Sequence, residues 1–144
     1  MLICYTSLMI TLQVGVKAFL KNKNGRYLLL KRSADKYKGT KGSWDIVGGR
    51  IEPGSKLLEN LKREIFEETQ LKLEFESRLV HAQDIIPSAE KHVVRLTYVA
   101  DIDGEPVLDL SENVEYKWLT LEEMRKQEDL DIYVKEILEK GLVK

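Results

Sequence analysis

The sequence contains a single cysteine, Cys4, so no disulfide can form within the chain, and a reducing cytoplasm is the expected setting. It has no excess of basic residues. Lys and Arg number 23 against 24 Asp and Glu, for a net charge of −1. A nucleic-acid-binding surface is therefore not indicated. Long apolar runs are missing too. The stretch Met1 to Ile10 is apolar but too short to span a bilayer, and it lacks the basic start and the small-residue cleavage site of a secretory leader. It reads as a lead-in to the first strand, with Met9 as an alternative start to Met1. Repeats, low-complexity tracts and linkers are absent, so residues 1–144 read as one domain with residues 1–10 as its lead-in. At 144 residues, about two-thirds of the unfolded surface can be buried, enough for a core without staples.

What is present is an alternation of strand and helix signals. Leu12, Val14, Val16, Ala18 and Leu20 alternate with Gln13, Gly15, Lys17 and Phe19, which is strand periodicity. Asn24-Gly25 precedes Tyr27 to Leu30, so a hairpin is expected. Residues 33–43 are polar and lysine-rich and read as a loop. Trp44 to Val47 is a short apolar run closed by Gly48-Gly49. Ser55 to Thr69 has helical spacing, with Leu57, Leu58, Leu61 and Ile65 as one stripe. Leu71, Leu73 and Phe75 alternate again, and Val93 to Ala100 and Val107 to Leu110 flank the turn signal Asp103-Gly104. Thr120-Leu121-Glu122-Glu123 is a capping box opening a short helix, and Asp131 to Lys140, followed by Gly141, reads as a terminal helix. Strands, then a helix, then strands and helices favour an α+β fold over a parallel βαβ array.

The helix from Ser55 to Thr69 carries the chemistry. On a wheel of about 100° per residue, Glu64 and Glu67 flank the apolar stripe and Glu68 falls near its middle. Carboxylates spaced i, i+3 and i+4 repel one another by a few tenths of a kcal/mol per pair. A carboxylate on the core side costs several kcal/mol more unless something positive meets it. Such violations of local rules concentrate at functional sites. A hard divalent cation removes both penalties, because Mg2+ and Mn2+ take clustered oxygen ligands. Taken alone, Glu-x-x-Glu-Glu reads more simply as a solvated acidic face. The surrounding residues reverse that reading.

Gly48-Gly49 stands upstream of Arg63-Glu64-Ile65-Phe66-Glu67-Glu68, and here the sequence resembles the Nudix hydrolase family. That family's signature is a glycine, five residues, a glutamate, seven residues, and then Arg-Glu-aliphatic-x-Glu-Glu-x-Gly-aliphatic. In this chain it runs from Gly49 through Arg63 and Glu64 to Leu71, 23 of 144 residues, with the spacing intact. Lys31 to Asp35 looks like the basic stretch of mutator-type nucleotide pyrophosphohydrolases. Trp44 to Gly49 looks like the family's run into its loop. Glu112, six residues before Trp118, matches a further acidic metal ligand of that subgroup.

The resemblance implies a mixed β-sheet sandwiched between helices and a magnesium-dependent hydrolase (manganese substituting) that cuts a phosphoanhydride bond. The substrate would be a small nucleoside diphosphate linked to another moiety: a nucleoside triphosphate, a dinucleotide or a nucleotide sugar. It implies that Glu64, Glu67 and Glu68 hold the metal, with a carbonyl of Gly48 or Gly49 and with Glu112. It implies that Arg63 orients the glutamates, that Lys31, Arg32 and Gly49 contact substrate, and that the general base is Glu64, Glu68 or a loop residue. A monomer or a homodimer fits, without membrane attachment. Two other activities compete: a non-catalytic nucleotide sensor, and an RNA-end-processing enzyme. Retention of all three glutamates argues against the sensor, and the absence of a basic arm argues against the RNA enzyme.

Two positions depart from the signature. Ser55 stands in place of glutamate and is expected to cap the helix. Gln70 stands in place of the helix-ending glycine, which costs about 1 kcal/mol if its backbone is left-handed. His81 and His92 have no partner at metal-ligand spacing and read as structural or surface residues. Cys4 reads as inert. Trp44 and Trp118 read first as packing residues, and Gly54 as a turn residue. Substrate choice is assigned to the loops Tyr37 to Gly42 and Ile85 to Lys91.

Overall fold

A computed structural model describes residues 9–35 and 42–144. Met1 to Leu8, with Cys4, and residues 37–41 of the loop assigned to specificity lie outside the described residues. The chain forms β1 (Thr11–Lys21), β2 (Tyr27–Arg32), β3 (Trp44–Asp45), β4 (Val47–Arg50), α1 (Leu57–Thr69), β5 (Ser77–Ser88), β6 (Lys91–Asp101), β7 (Asn113–Leu119), α2 (Leu121–Arg125) and α3 (Ile132–Glu139).

The strands make one sheet in the order β3-β2-β1-β6-β5, with β4 also on β1 and β7 also on β2. β1 and β6 run parallel over their full lengths, from Thr11↔Lys91 to Lys21↔Asp101. The other strand pairings are antiparallel, so the sheet is mixed. Side-chain alternation then splits the core in two. Leu28 and Leu30 of β2 pack with Val16 of β1 and with Leu61 and Ile65 of α1. Tyr27 and Leu29 face the other way, onto Trp44, Met124 of α2, and Val134 and Ile137 of α3. The sheet therefore lies between α1 and the α2–α3 pair, the α+β sandwich that the family resemblance implied.

Several local expectations hold. Asn22 to Arg26 link β1 to β2, with Asn22 Oδ1 accepting from two backbone N–H groups of the turn. Thr120 and Glu123 form the reciprocal capping box. Asp131 caps α3 by accepting from the N–H groups of Tyr133 and Val134. Gln70 ends α1 in the left-handed region, at φ 58°.

Others need correction. Ser55 does not cap α1. The cap position is Lys56, which makes no side-chain capping bond, and the Ser55 N–H donates to the Glu52 carbonyl in the preceding turn. Leu57 and Leu58 are exposed, and the buried stripe runs through Asn60, Leu61, Ile65, Glu68 and Thr69 instead. The segment around Leu71 and Leu73 forms no strand, although both side chains are buried. Here alternation reflects anchoring of an irregular segment to the core. Val107 to Leu110 likewise lies outside any strand. Ile85 to Ser88 belongs to β5, and the hairpin closes through the pair Ser88↔Lys91, so most of the second specificity loop is sheet.

Candidate active site

The Gly48-Gly49 step lies where β4 pairs with β1, Lys17 opposite Gly48 and Val16 opposite Gly49. Both positions exclude a side chain. A Cβ on Gly48, at φ 142°, would sit 2.0 Å from the Val16 carbonyl oxygen, and one on Gly49 would sit 2.6 Å from Glu64 Oε2. The glycines thus let α1 press its carboxylates against bare backbone. The Gly48 N–H donates to Glu68 Oε2 at 3.0 Å.

The three glutamates meet different environments. Glu68 is 9% exposed, as the wheel implied, and burial pushes its pKa up to about 7 against the opposing pull of Lys17 and the Gly48 N–H. Glu64 is also raised by burial, partly offset by Arg63. Glu67 is more open, with its side chain 56% exposed. Arg63 lies between the last two, with Nη1 3.1 Å from Glu64 Oε1 and 3.2 Å from Glu67 Oε2. Its Nη2 donates to Asn60 Oδ1 at 3.0 Å, and that same oxygen receives the Glu52 N–H at 2.9 Å. Asn60 is fully buried and so ties the signature loop to the helix.

These glutamates open onto a cavity of about 980 Å³. Glu112 also lines it, its N–H bonded to the Asp109 carbonyl and its own carbonyl receiving the Ser33 N–H at 2.8 Å. Among the expected substrate contacts, Gly49 and Arg32 line the cavity. Arg32 is held by Asp45 and by Asp131, the latter at 3.1 Å. Lys31 instead places its Nζ 5.9 Å from the Trp44 ring centroid. Trp44 is a core residue, and Trp118 bonds Glu105 at 2.9 Å. His81 pairs with Glu136, and His92 with Asp84, away from the glutamates.

The donor set suits a hard divalent ion. It is all oxygen, and burial disfavours the charged form of two of its carboxylates, a penalty that a cation would offset. Among the described residues no three acidic, imidazole or thiol groups yet converge on one point. Glu67 is exposed and paired with Arg63.

Apart from Arg32, the charged residues of the other half of the cavity were not legible as site residues in the sequence. Lys17 Nζ lies 2.9 Å from Asp45 Oδ2, 3.2 Å from the Ile46 carbonyl and 3.4 Å from the Gly48 carbonyl. Arg95 Nη2 lies 2.9 Å from Asp45 Oδ1, and its Nη1 3.4 Å from Asp131 Oδ1. Burial raises the Asp45 pKa, but the charges of Arg95, Lys17 and Arg32 outweigh it and hold the group far below the carboxylate range. The available signal was charge inside apolar runs: Asp45 between Trp44 and Ile46, and Arg95 between Val94 and Leu96.

A mixed sheet between helices, with a glycine pair clasping the glutamates of one helix, defines a Nudix-type domain. The family model described as NUDIX domain matches residues 11–140, and the chain belongs to that family. Its fold is similar to the crystal structure of a MutT protein from Methanosarcina mazei Go1 (27% identity, TM-score 0.77, covering 93% of this chain and 95% of that one). It is also similar to a MutT NUDIX hydrolase from Burkholderia pseudomallei (27% identity, TM-score 0.74, covering 90% and 97%). Nudix hydrolase 6 of Arabidopsis thaliana is 30% identical over 80% of this chain, which spans 41% of that protein's length.

Proposed function

We propose that this protein hydrolyses a phosphoanhydride bond in a nucleoside diphosphate linked to another moiety, with magnesium as its cofactor. The observation that carries this reading is the buried Glu68 carboxylate, tethered to the Gly48 N–H beside a second desolvated glutamate, Glu64, at the mouth of a large cavity. A solvated acidic face would leave these carboxylates in water.

In this reading Glu64, Glu67 and Glu68 hold the metal, with the Gly48 carbonyl and Glu112 as further oxygen donors. Magnesium, when bound, neutralises phosphate charge and supplies an acidified water. Arg63 keeps Glu64 and Glu67 oriented through charge-assisted hydrogen bonds. Glu64, Glu68 or a loop residue accepts the water proton. Arg32 and Gly49 contact the substrate from the cavity wall. One cysteine, and no helix among the described residues long and apolar enough to cross a membrane, suit a reducing aqueous compartment such as the cytoplasm. A panel of nucleoside triphosphates, dinucleotides and nucleotide sugars, assayed by phosphate release after phosphatase coupling, tests the reading. Turnover of at least one class that stops with EDTA is the expected result, and metal-independent turnover would overturn it.

A further inference from the structure

Lys17 interrupts the apolar centre of β1, between Val16 and Ala18, and its side chain is 17% exposed. It stands opposite Gly48 in the pairing of β1 with β4. The bare backbone of that glycine gives its stem passage, since a Cβ there would sit 2.9 Å from Lys17 Cδ. The ammonium lies 2.9 Å from Asp45 Oδ2 and donates to the Ile46 carbonyl at 3.2 Å and to the Gly48 carbonyl at 3.4 Å. Gly48 is thus bonded at both ends of its backbone, its N–H to Glu68 and its carbonyl to Lys17. Asp45 is served without this lysine. Arg32 and Arg95 each pair with both Asp45 and Asp131, two cations on two carboxylates. The charge left for Lys17 to balance lies on α1. Burial raises the pKa of Glu64 and of Glu68, and Lys17 opposes it at both, as the largest opposing influence at Glu68.

We propose that Lys17 is the resident counter-ion of the metal site, holding the Gly48 carbonyl and compensating the Glu68 charge until a divalent ion takes over both, so that its positive charge sets the metal affinity. This rests on the magnesium-dependent reading above and adds what governs occupancy of the site. A divalent ion ligated by the Gly48 carbonyl and Glu68 shares both partners with the ammonium, and two cations on one set of oxygens repel each other. Lys17 is suited to yield. Its ammonium is a point charge on a flexible stem, the Gly48 carbonyl is the longest of its three contacts, and Asp45 and the Ile46 carbonyl retain it when that contact is given up. The lysine therefore stabilises the empty site and weakens its hold on magnesium.

The test reads metal binding without substrate. Magnesium chloride is titrated by calorimetry into the full chain, stripped with EDTA and dialysed, at a pH of about 9, where Glu68, with its pKa of about 7, is ionised. Lys17→Met keeps the stem and removes the charge. It is expected to bind magnesium at least about fivefold more tightly than the wild type, the lower end of couplings between interacting sites. Lys17→Arg keeps the charge and is expected to keep the wild-type affinity. Should Lys17→Met fail to fold, Lys17→Gln decides, since its amide can still donate to Asp45. A lysine that serves only the fold, through Asp45, predicts the same affinity in every folded variant. Equal or weaker binding in the neutral variant overturns the proposal, and metal-dependent turnover by the wild type would still uphold the hydrolase reading. Tighter binding in the neutral variant without turnover of any diphosphate would keep this role for Lys17 and defeat the hydrolase reading. Absence of magnesium binding in both the wild type and the neutral variant would overturn both.

Discussion

The Glu68 carboxylate and the Gly48 backbone N–H are joined by a 3.0 Å hydrogen bond across 20 residues of sequence, a tie between α1 and β4. It holds a carboxylate where burial lifts its pKa to about 7.

That position has a pH consequence. A carboxyl group whose folded pKa lies above its unfolded value destabilises the fold once it ionises. The loss begins above the unfolded value of 4.5 and is complete above about 7. Metal-free Glu68→Gln is therefore expected to melt above the wild type at pH 8 and level with it near pH 4. Turnover of the variant should fall by orders of magnitude, since metal-borne charge stabilisation is worth several kcal/mol. Near-normal turnover with a lowered melting point at pH 8 would instead mark Glu68 as a structural ion-pair partner.

Metal binding should follow the same titration. The proton on Glu68 must leave before the oxygen can ligate. Magnesium is expected to raise the melting temperature more at pH 8 than at pH 6, and calorimetry should detect proton release across that range. An affinity independent of pH would place Glu68 outside the ligand set.

The ends of α1 carry two small stability effects. Ser55→Ala should change stability by less than about 0.5 kcal/mol, because Ser55 does not occupy the cap. Lys56→Ser supplies the missing capping oxygen and should add about 0.5–1 kcal/mol. At the other end, Gln70→Gly removes a left-handed non-glycine residue at φ 58° and should add about 1 kcal/mol. Urea titrations measure all three. A loss of 1 kcal/mol or more in Ser55→Ala would restore it as the cap.

Asp45 is the opposite case to Glu68. Its folded pKa is depressed, so its contribution to stability is full above the unfolded value of 3.8 and is lost as pH falls through the folded one. Asp45→Asn leaves Lys17, Arg32 and Arg95 short of their shared partner and should destabilise the protein by about 3–5 kcal/mol at pH 7. The penalty should shrink on acidification below pH 3.8. A penalty constant down to pH 2 would show that packing, not charge, is what Asp45 contributes.

Local order determined much of what could be read from the residues alone. The wheel position of Glu68, the Arg63–Glu67 pairing, the Thr120 capping box and the left-handed Gln70 all follow from spacings of a few residues, which backbone geometry converts directly into proximity. The family signature is itself a local pattern. Tertiary structure alone decided which apolar residues are core. Leu57 and Leu58 meet no facing element and stay exposed, while Leu71 and Leu73 are buried without being strand. It also decided the polar half of the cavity. Lys17 lies 28 residues from Asp45, Arg95 lies 50, and Asp131 lies 86. Only the register of β1 with β6, the pairing of β3 with β2, and the docking of α3 on the sheet bring those four charges together. Buried ion pairs of that kind leave no periodic trace in sequence, because each partner's placement depends on where a distant strand or helix comes to rest.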